Sequence, residues 1–308
     1  MVPLALEQRV IGVDVGGTKI LAAAIGPDGT LEKGLDPVTT DVSSREALLA
    51  QLDGLVEELR ETQEIAALGF GLPSRIDQRT GRAVASVNIP LEGVDFRDRM
   101  RERHGLMVGI DNDANAATIG EWKAGAARGA RHVVMLTLGT GVGGGLILDG
   151  RPYRGATGSG AELGHIVIEY DGPECGCGGR GHLETFAAGR AADTAARRLY
   201  GEGSGARELV ERAAAGEDDA VEALAEIGRR LGAGFVTLVN IFEPELVVVG
   251  GGFGKAAGEL VLAPAREALA REGLAPARDT VKVVGAQLGG NAGVIGAGMI
   301  AYEALDGE

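Results

Sequence analysis

Between Glu162 and Glu184 the chain reads ELGHIVIEYDGPECGCGGRGHLE, a stretch holding both cysteines of the protein and two of its four histidines. Cys175 and Cys177 stand two residues apart, a spacing that disfavours a relaxed disulfide. His165 and His182 flank them closely enough to complete a shell of four ligands, and thiolate with imidazole suits tetrahedral zinc. The competing reading is a pair of small buried thiols beside surface histidines.

Three glycine clusters offer a different chemistry. In Asp14-Val15-Gly16-Gly17-Thr18, bare glycines let N–H groups converge on phosphate oxygens, Thr18 adds a hydroxyl, and Asp14 can hold Mg2+ directly or through water. A tight hairpin turn would need the same glycines. The second cluster, Gly139-Thr140-Gly141-Val142-Gly143-Gly144-Gly145, contains G-x-G-x-x-G, but LIL and an Asp149-Gly150 turn follow it where a dinucleotide fold needs a helix. A nicotinamide oxidoreductase is therefore disfavoured. A P-loop is disfavoured too, because Thr18-Lys19 reverses its order, which leaves Lys19 a local contact or surface residue. The third cluster, around Gly251 and Gly252, ends an apolar run where a helix should start, a place for a nucleotide or for close strand-to-helix packing. Between the first two lies a polar knot, Asp111-Asn112-Asp113.

Strands and helices must position these groups. Apolar runs at 9–15 and 19–25 read as strands joined through Gly16-Gly17-Thr18, and residues 132–150 repeat that hairpin pattern, a hint of a duplicated α/β domain. Helical periodicity covers 43–62, 95–104, the stretch after Asp113 with Asp113 as its N-cap, 189–199, 206–214, 217–240, 255–271 and a closing helix from Ala292. Strand-like runs at 66–71, 106–110, 245–252 and 281–287 alternate with them, so the fold class is α/β.

Composition narrows the partners. A chain of 308 residues is expected to form two domains, and its 45% hydrophobic content supplies both cores. A formal charge of −14 argues against nucleic acid or an anionic membrane as partner. No segment has the length of a transmembrane helix, MVPLALEQRV lacks a leader signature, and free thiols read as cytoplasmic.

VDVGGTK from Val13, DNDANAA from Asp111, LTLGTGVGGG from Leu136, GAELGH from Gly160, CGCGGRGHLE from Cys175 and VVVGGG from Val247 stand in one order along nearly the whole chain. In these the chain resembles the ROK family of sugar kinases and related repressors. The resemblance implies the actin-like ATPase (ribonuclease H-like) fold, with sugar and ATP meeting in a cleft between two lobes. It implies a smaller N-terminal lobe of residues 1–112 plus 292–308, and a larger lobe of 113–291 carrying the zinc loop. Asp113 becomes the base receiving the proton of the attacking sugar hydroxyl, on C6. Asn88, Asn112, Glu162, His165 and Glu184 become sugar ligands, with the Gly71-Leu72-Pro73-Ser74 turn on the same wall. Asp14, Gly16, Gly17, Thr18, Lys19, Gly139, Thr140, Gly141, Gly251 and Gly252 become the cradle for ATP and Mg2+.

In one place the chain departs from the family. His182 stands where the family's zinc loop has cysteine, so the structural Zn2+ would be held by His165, Cys175, Cys177 and His182, a neutral site instead of one of charge −1. The resulting expectation is an ATP-dependent hexose kinase making glucose 6-phosphate, a homodimer or homotetramer. Fructose, mannose, N-acetylglucosamine or N-acetylmannosamine are the alternative substrates, and polyphosphate the alternative donor. A sugar-sensing repressor is disfavoured because a helix-turn-helix needs dozens of residues ahead of Asp14.

Overall fold

The structure, a computed structural model, describes residues 8–86 and 88–307. The first seven residues, part of the segment read above for a leader, lie outside that range. In chain order the strands and helices are β1 (Arg9–Val15), β2 (Lys19–Ile25), β3 (Leu31–Gly34), β4 (Val38–Thr39), α1 (Arg45–Arg60), β5 (Ile65–Leu72), β6 (Ser74–Asp77), β7 (Arg82–Ser86), α2 (Phe96–His104), β8 (Met107–Asn112) and α3 (Asp113–Ala124). There follow β9 (Val133–Leu138), β10 (Val142–Leu148), β11 (Arg151–Pro152), α4 (Glu184–Ala187), α5 (Gly189–Tyr200), α6 (Ala206–Ala214) and α7 (Asp218–Phe242). The chain closes with β12 (Leu246–Gly250), α8 (Gly252–Ala257), α9 (Glu259–Glu272), α10 (Ala277–Thr280), β13 (Lys282–Gly285) and α11 (Ala292–Asp306).

Two compact units result. The first takes the chain up to Gly129, Pro152–Ala161, and everything from Gly290 onward; the second takes Ala130–Arg151 and Glu162–Gly289. The expected lobe boundary after residue 112 would cut α3 away from the first unit. In the structure α3 packs along α11, and that contact keeps it there.

The first unit is built on a sheet of order β3-β2-β1-β5-β8, with β4 also on β2. β1 and β2 form the expected antiparallel hairpin, while β1, β5 and β8 run parallel. Their register puts Gly12, Gly69 and Gly109 side by side in one row and Asp14, Gly71 and Asp111 in the next row but one. A Cβ on Gly12, Gly69 or Gly109 would overlap the carbonyl oxygens of Val294, Ala297 and Ile300 respectively. The glycine row therefore lets the backbone of α11 lie directly on the sheet, where any side chain would hold it off. On the opposite side, α1 and α2 cover a core of Ile11, Leu52, Leu59, Leu68, Phe70 and Phe96, with the Phe70 and Phe96 rings edge to face at 5.1 Å.

The second unit repeats the plan with the order β11-β10-β9-β12-β13. An antiparallel hairpin, β9 and β10, again leads to parallel strands, β12 and β13. Helices α7 and α9 pack together beside it, Gly228 and Gly232 of α7 making room for Val261 and Ala265. The helix expected over 255–271 is in fact two, α8 and α9, because Gly258 takes φ +51 and ψ −129 and breaks the hydrogen-bond ladder. The short strands β3, β4, β6, β7 and β11 were not expected; at two to five residues each they are too short for a period of two to stand out in the sequence.

Candidate active site

The first unit gathers its candidates at the carboxyl ends of β1, β5 and β8, where parallel α/β sheets present ligand sites. Asp14 is half-buried on β1, beside Gly71 of β5. Burial first, then the charge of Asp113, push its carboxyl up to about 7, against a smaller opposing pull from Lys19. Gly293, at the start of α11, faces this carboxylate so closely that a Cβ there would strike it.

Next to Asp14 the chain turns through Gly16, Gly17 and Thr18. The N–H of Gly16 is not available for a phosphate, contrary to the expectation of successive free amides, because it donates to the Lys19 carbonyl at 2.9 Å and closes the hairpin. Thr40 buttresses the same residue, its hydroxyl donating to the Gly16 carbonyl at 2.7 Å. Among the described residues, the N–H groups of Gly17 and Thr18 have no protein acceptor and remain for a ligand. Asn88 lies over this turn, its Cβ filling the space a side chain on Gly17 would need.

Asp113 opens α3 but does not cap it. Asn112 is the N-cap, its Oδ1 accepting from Ala114 N at 2.9 Å and Asn115 N at 3.3 Å. Asp113 is the first helical residue, Oδ1 taking a further bond from Ala114 N at 2.9 Å. The one-residue shift matters chemically. Asn112 spends its oxygen on the helix, and its amide nitrogen reaches the Ser74 carbonyl at 3.4 Å, so as a sugar ligand it would serve as a donor. Asp113, relieved of capping, faces Asp14 beside the positive end of α3.

In the second unit the Gly139-Thr140-Gly141 turn copies the first. Gly139 N–H closes it on the Gly141 carbonyl at 3.0 Å, and the N–H groups of Thr140 and Gly141 have no protein acceptor among the described residues. Gly251, at φ +84, packs against the backbone of Leu138 just before this turn, with Gly252 opening α8. From another side the start of α5 is tied to it, Gly189 N–H donating to the Gly139 carbonyl at 2.8 Å. Sequence reasoning missed that contact, since nothing local marks Gly189.

The zinc loop comes together as expected: the ligand atoms of His165, Cys175, Cys177 and His182 lie within 4.8 Å of one another. The two Nδ1 atoms are 3.3 Å apart, Cys177 Sγ is 3.3 Å from His182 Nδ1, and Cys175 Sγ is 3.7 Å from His165 Nδ1. A tetrahedron about zinc has edges of about 3.3 Å between nitrogens and about 3.6 Å between nitrogen and sulfur, so this donor set fits the ion. With both Nδ1 atoms on the metal side, His165 Nε2 is left 4.0 Å from Glu162 Oε2.

Glu184 links this cluster to the glycine turn. Its Oε1 accepts from the Cys175 thiol at 2.8 Å and its Oε2 from Val142 N–H at 3.4 Å. Burial, opposed by the Cys177 N–H and reinforced by the Glu184 contact, pushes the Cys175 thiol up to about 12; a zinc ion held there would supply the positive charge that favours the thiolate. A groove of about 560 Å3, lined by Thr140, Gly141, Glu184, Phe186, Arg190 and Arg230, opens beside this turn.

A profile of the ROK family matches residues 10–304. The chain belongs to the ROK family. It is 35% identical to a glucokinase of Thermotoga maritima, the match covering 98% of this chain and 99% of that one. The structure of a ROK family glucokinase from Streptomyces griseus in complex with glucose and AMPPNP is 34% identical and superposes with a TM-score of 0.84 over 96% of this chain and 99% of that one. A ROK hexokinase from Thermus thermophilus is 34% identical, with a TM-score of 0.85 over 98% and 100% of the two chains. The two α/β units are thus the lobes of the actin-like ATPase fold expected from the motifs. No helix among the described residues of this ROK protein is long and apolar enough to cross a membrane.

Proposed function

We propose that this protein transfers the γ-phosphoryl group of ATP to the 6-hydroxyl of a hexose, glucose first among the candidates. The observation that carries the reading is the pair of carboxylates at one sheet end: Asp113 as the first residue of α3, with Asn112 as the N-cap, and Asp14 beside the Gly16–Thr18 turn. Similarity to the glucokinases named above supports the choice of sugar.

In this reaction Asp113 takes the proton from the sugar hydroxyl as its oxygen bonds to phosphorus, and the bond from phosphorus to the β-phosphate oxygen breaks, releasing ADP. Because the transition state is loose, alignment and charge neutralisation outweigh base strength. The Gly17 and Thr18 amides, and those of Thr140 and Gly141, supply fixed donors for phosphate oxygens. Asp14 would hold Mg2+, directly or through water, and the ion would supply the positive charge that offsets the phosphates and the Asp14–Asp113 repulsion. Asn88, the amide of Asn112, Glu162, His165 Nε2 and Glu184 hold the sugar's other hydroxyls. His165, Cys175, Cys177 and His182 would hold a structural Zn2+, which would fix the loop from which His165 and Glu184 project. The enzyme works in the cytoplasm as a homodimer or homotetramer and takes no nucleic acid partner.

Steady-state rates over glucose, fructose, mannose and the N-acetylated hexosamines, with ATP and with polyphosphate, test the assignment. Glucose with ATP is expected to give the highest kcat/KM. Phosphorylation of no sugar, or an Asp113→Asn variant as fast as the parent, would overturn it.

A further inference from the structure

Asp111 precedes the Asn112-Asp113 pair, yet its carboxylate is fully buried. Its Oδ1 accepts from the N–H of Asn112 at 2.8 Å and from the side-chain amide of Asn115 at 2.9 Å. Asp113 lies between the two residues that Asp111 holds. The other oxygen, Oδ2, takes the Nε–H of Arg154 at 2.5 Å.

Arg154 comes from a distant part of the chain, the Pro152–Ala161 segment of the first unit. It is three-quarters buried and forks, its Nη2 reaching Glu303 of α11 at 2.8 Å. The segment closes on itself, Gly160 N–H donating to the Arg154 carbonyl at 2.9 Å, and is fastened at one further point, the Thr157 carbonyl accepting from Gln78 N–H at 3.2 Å. Gln78 in turn donates from its side chain to the Ile110 carbonyl of β8 at 3.2 Å. A carboxylate with no exposure needs a cation and hydrogen-bond donors to offset its lost hydration, and Arg154 is the cation here.

From these contacts we infer that Arg154 is a positioning residue for phosphoryl transfer, acting through Asp111 to set the first turn of α3 and with it the Asp113 carboxylate. This rests on the kinase reading above. With Arg154 removed, Asp111 has no counter-charge, its grip on Asn112 and Asn115 slackens, and Asp113 loses its alignment. Displacements of about 1 Å in such groups cost on the order of 100-fold in rate.

The test is a double-mutant cycle in the full-length chain, with glucose and ATP as substrates and the thermal unfolding midpoint recorded for every variant. Arg154→Met is expected to lower kcat about 10- to 100-fold while KM for ATP stays within about twofold. Arg154→Lys, which keeps the charge but not the fork, recovers part of that loss. Glu303→Gln, which cuts only the second arm, keeps kcat within about twofold. The Asp111→Asn/Arg154→Met pair is no slower than Asp111→Asn alone, because both act on one link. Parental kcat in Arg154→Met, whatever its midpoint, overturns the inference, as do losses that multiply in the pair. Should Arg154→Met not fold, Arg154→Gln enters the same cycle with the same expectations. An inactive parent, or an active Asp113→Asn, instead points to failure of the kinase reading itself.

Discussion

Replacing Asp14 by asparagine should stabilise the protein at the same time as it disables it. In the folded chain the Asp14 carboxyl sits at about 7 against an ordinary 3.8, because burial and Asp113 both oppose its charge. A carboxyl raised on folding favours the folded state below its ordinary value, and that advantage is lost as pH climbs through the folded value. The full shift corresponds to about 4 kcal/mol, of which roughly 2.5 kcal/mol is lost between about pH 5 and about pH 8. Partial solvent access lowers the expectation to about 1–2 kcal/mol. Denaturant unfolding without Mg2+ measures it, and the single tryptophan, Trp122 on α3, reports the first unit. The parent should lose about 1–2 kcal/mol more than Asp14→Asn between those two pH values. Mg2+ with ATP should narrow the gap at the higher pH, and kcat of the variant should fall at least about 100-fold. Equal pH dependence in parent and variant would refute the placement of a strained charge at the end of β1.

Asp113→Asn should lower kcat by about 10²–10⁴-fold with little change in the unfolding midpoint, since Asn112 keeps the helix cap; rapid-quench measurement of glucose 6-phosphate checks it. Metal analysis of purified protein should find one zinc per chain, and its removal by a strong chelator should raise KM for glucose more than KM for ATP. His182→Cys, which turns the neutral site into one of charge −1, should hold zinc at least as tightly in a competition titration with a chromogenic chelator. Gly69→Ala should cost about 3 kcal/mol or more, because its methyl would meet the Ala297 carbonyl; a variant as stable as the parent would mean that α11 does not lie on the sheet.

Much of the site was legible because its chemistry is local. Cys175, Cys177 and His182 fall within eight residues, and each glycine turn sits between two apolar runs that announce its hairpin. What escaped depends on register or on distance. Asn112 and Asp113 are both competent caps, and only the first turn of α3 decides between them. The break at Gly258 lies in a stretch whose apolar spacing continues on both sides. Arg154 stands 43 residues from its partner Asp111, and no pattern around either announces the other. The row of Gly12, Gly69 and Gly109 spans three strands, and each glycine alone looks like an ordinary weak point in a strand.

That row has a bearing on how the molecule is made. Every glycine in it is synthesised long before the segment it accommodates, for α11 begins only at Ala292. The first unit is thus discontinuous along the chain, and both segments of the second unit, Ala130–Arg151 and Glu162–Gly289, are made between its sheet and its last helix. The sheet of the first unit cannot complete its packing until α11 has been made and can settle on the glycine row. Assembly of the first unit therefore waits on a segment made after the whole of the second, and a chain interrupted before Ala292 would leave the glycine row uncovered.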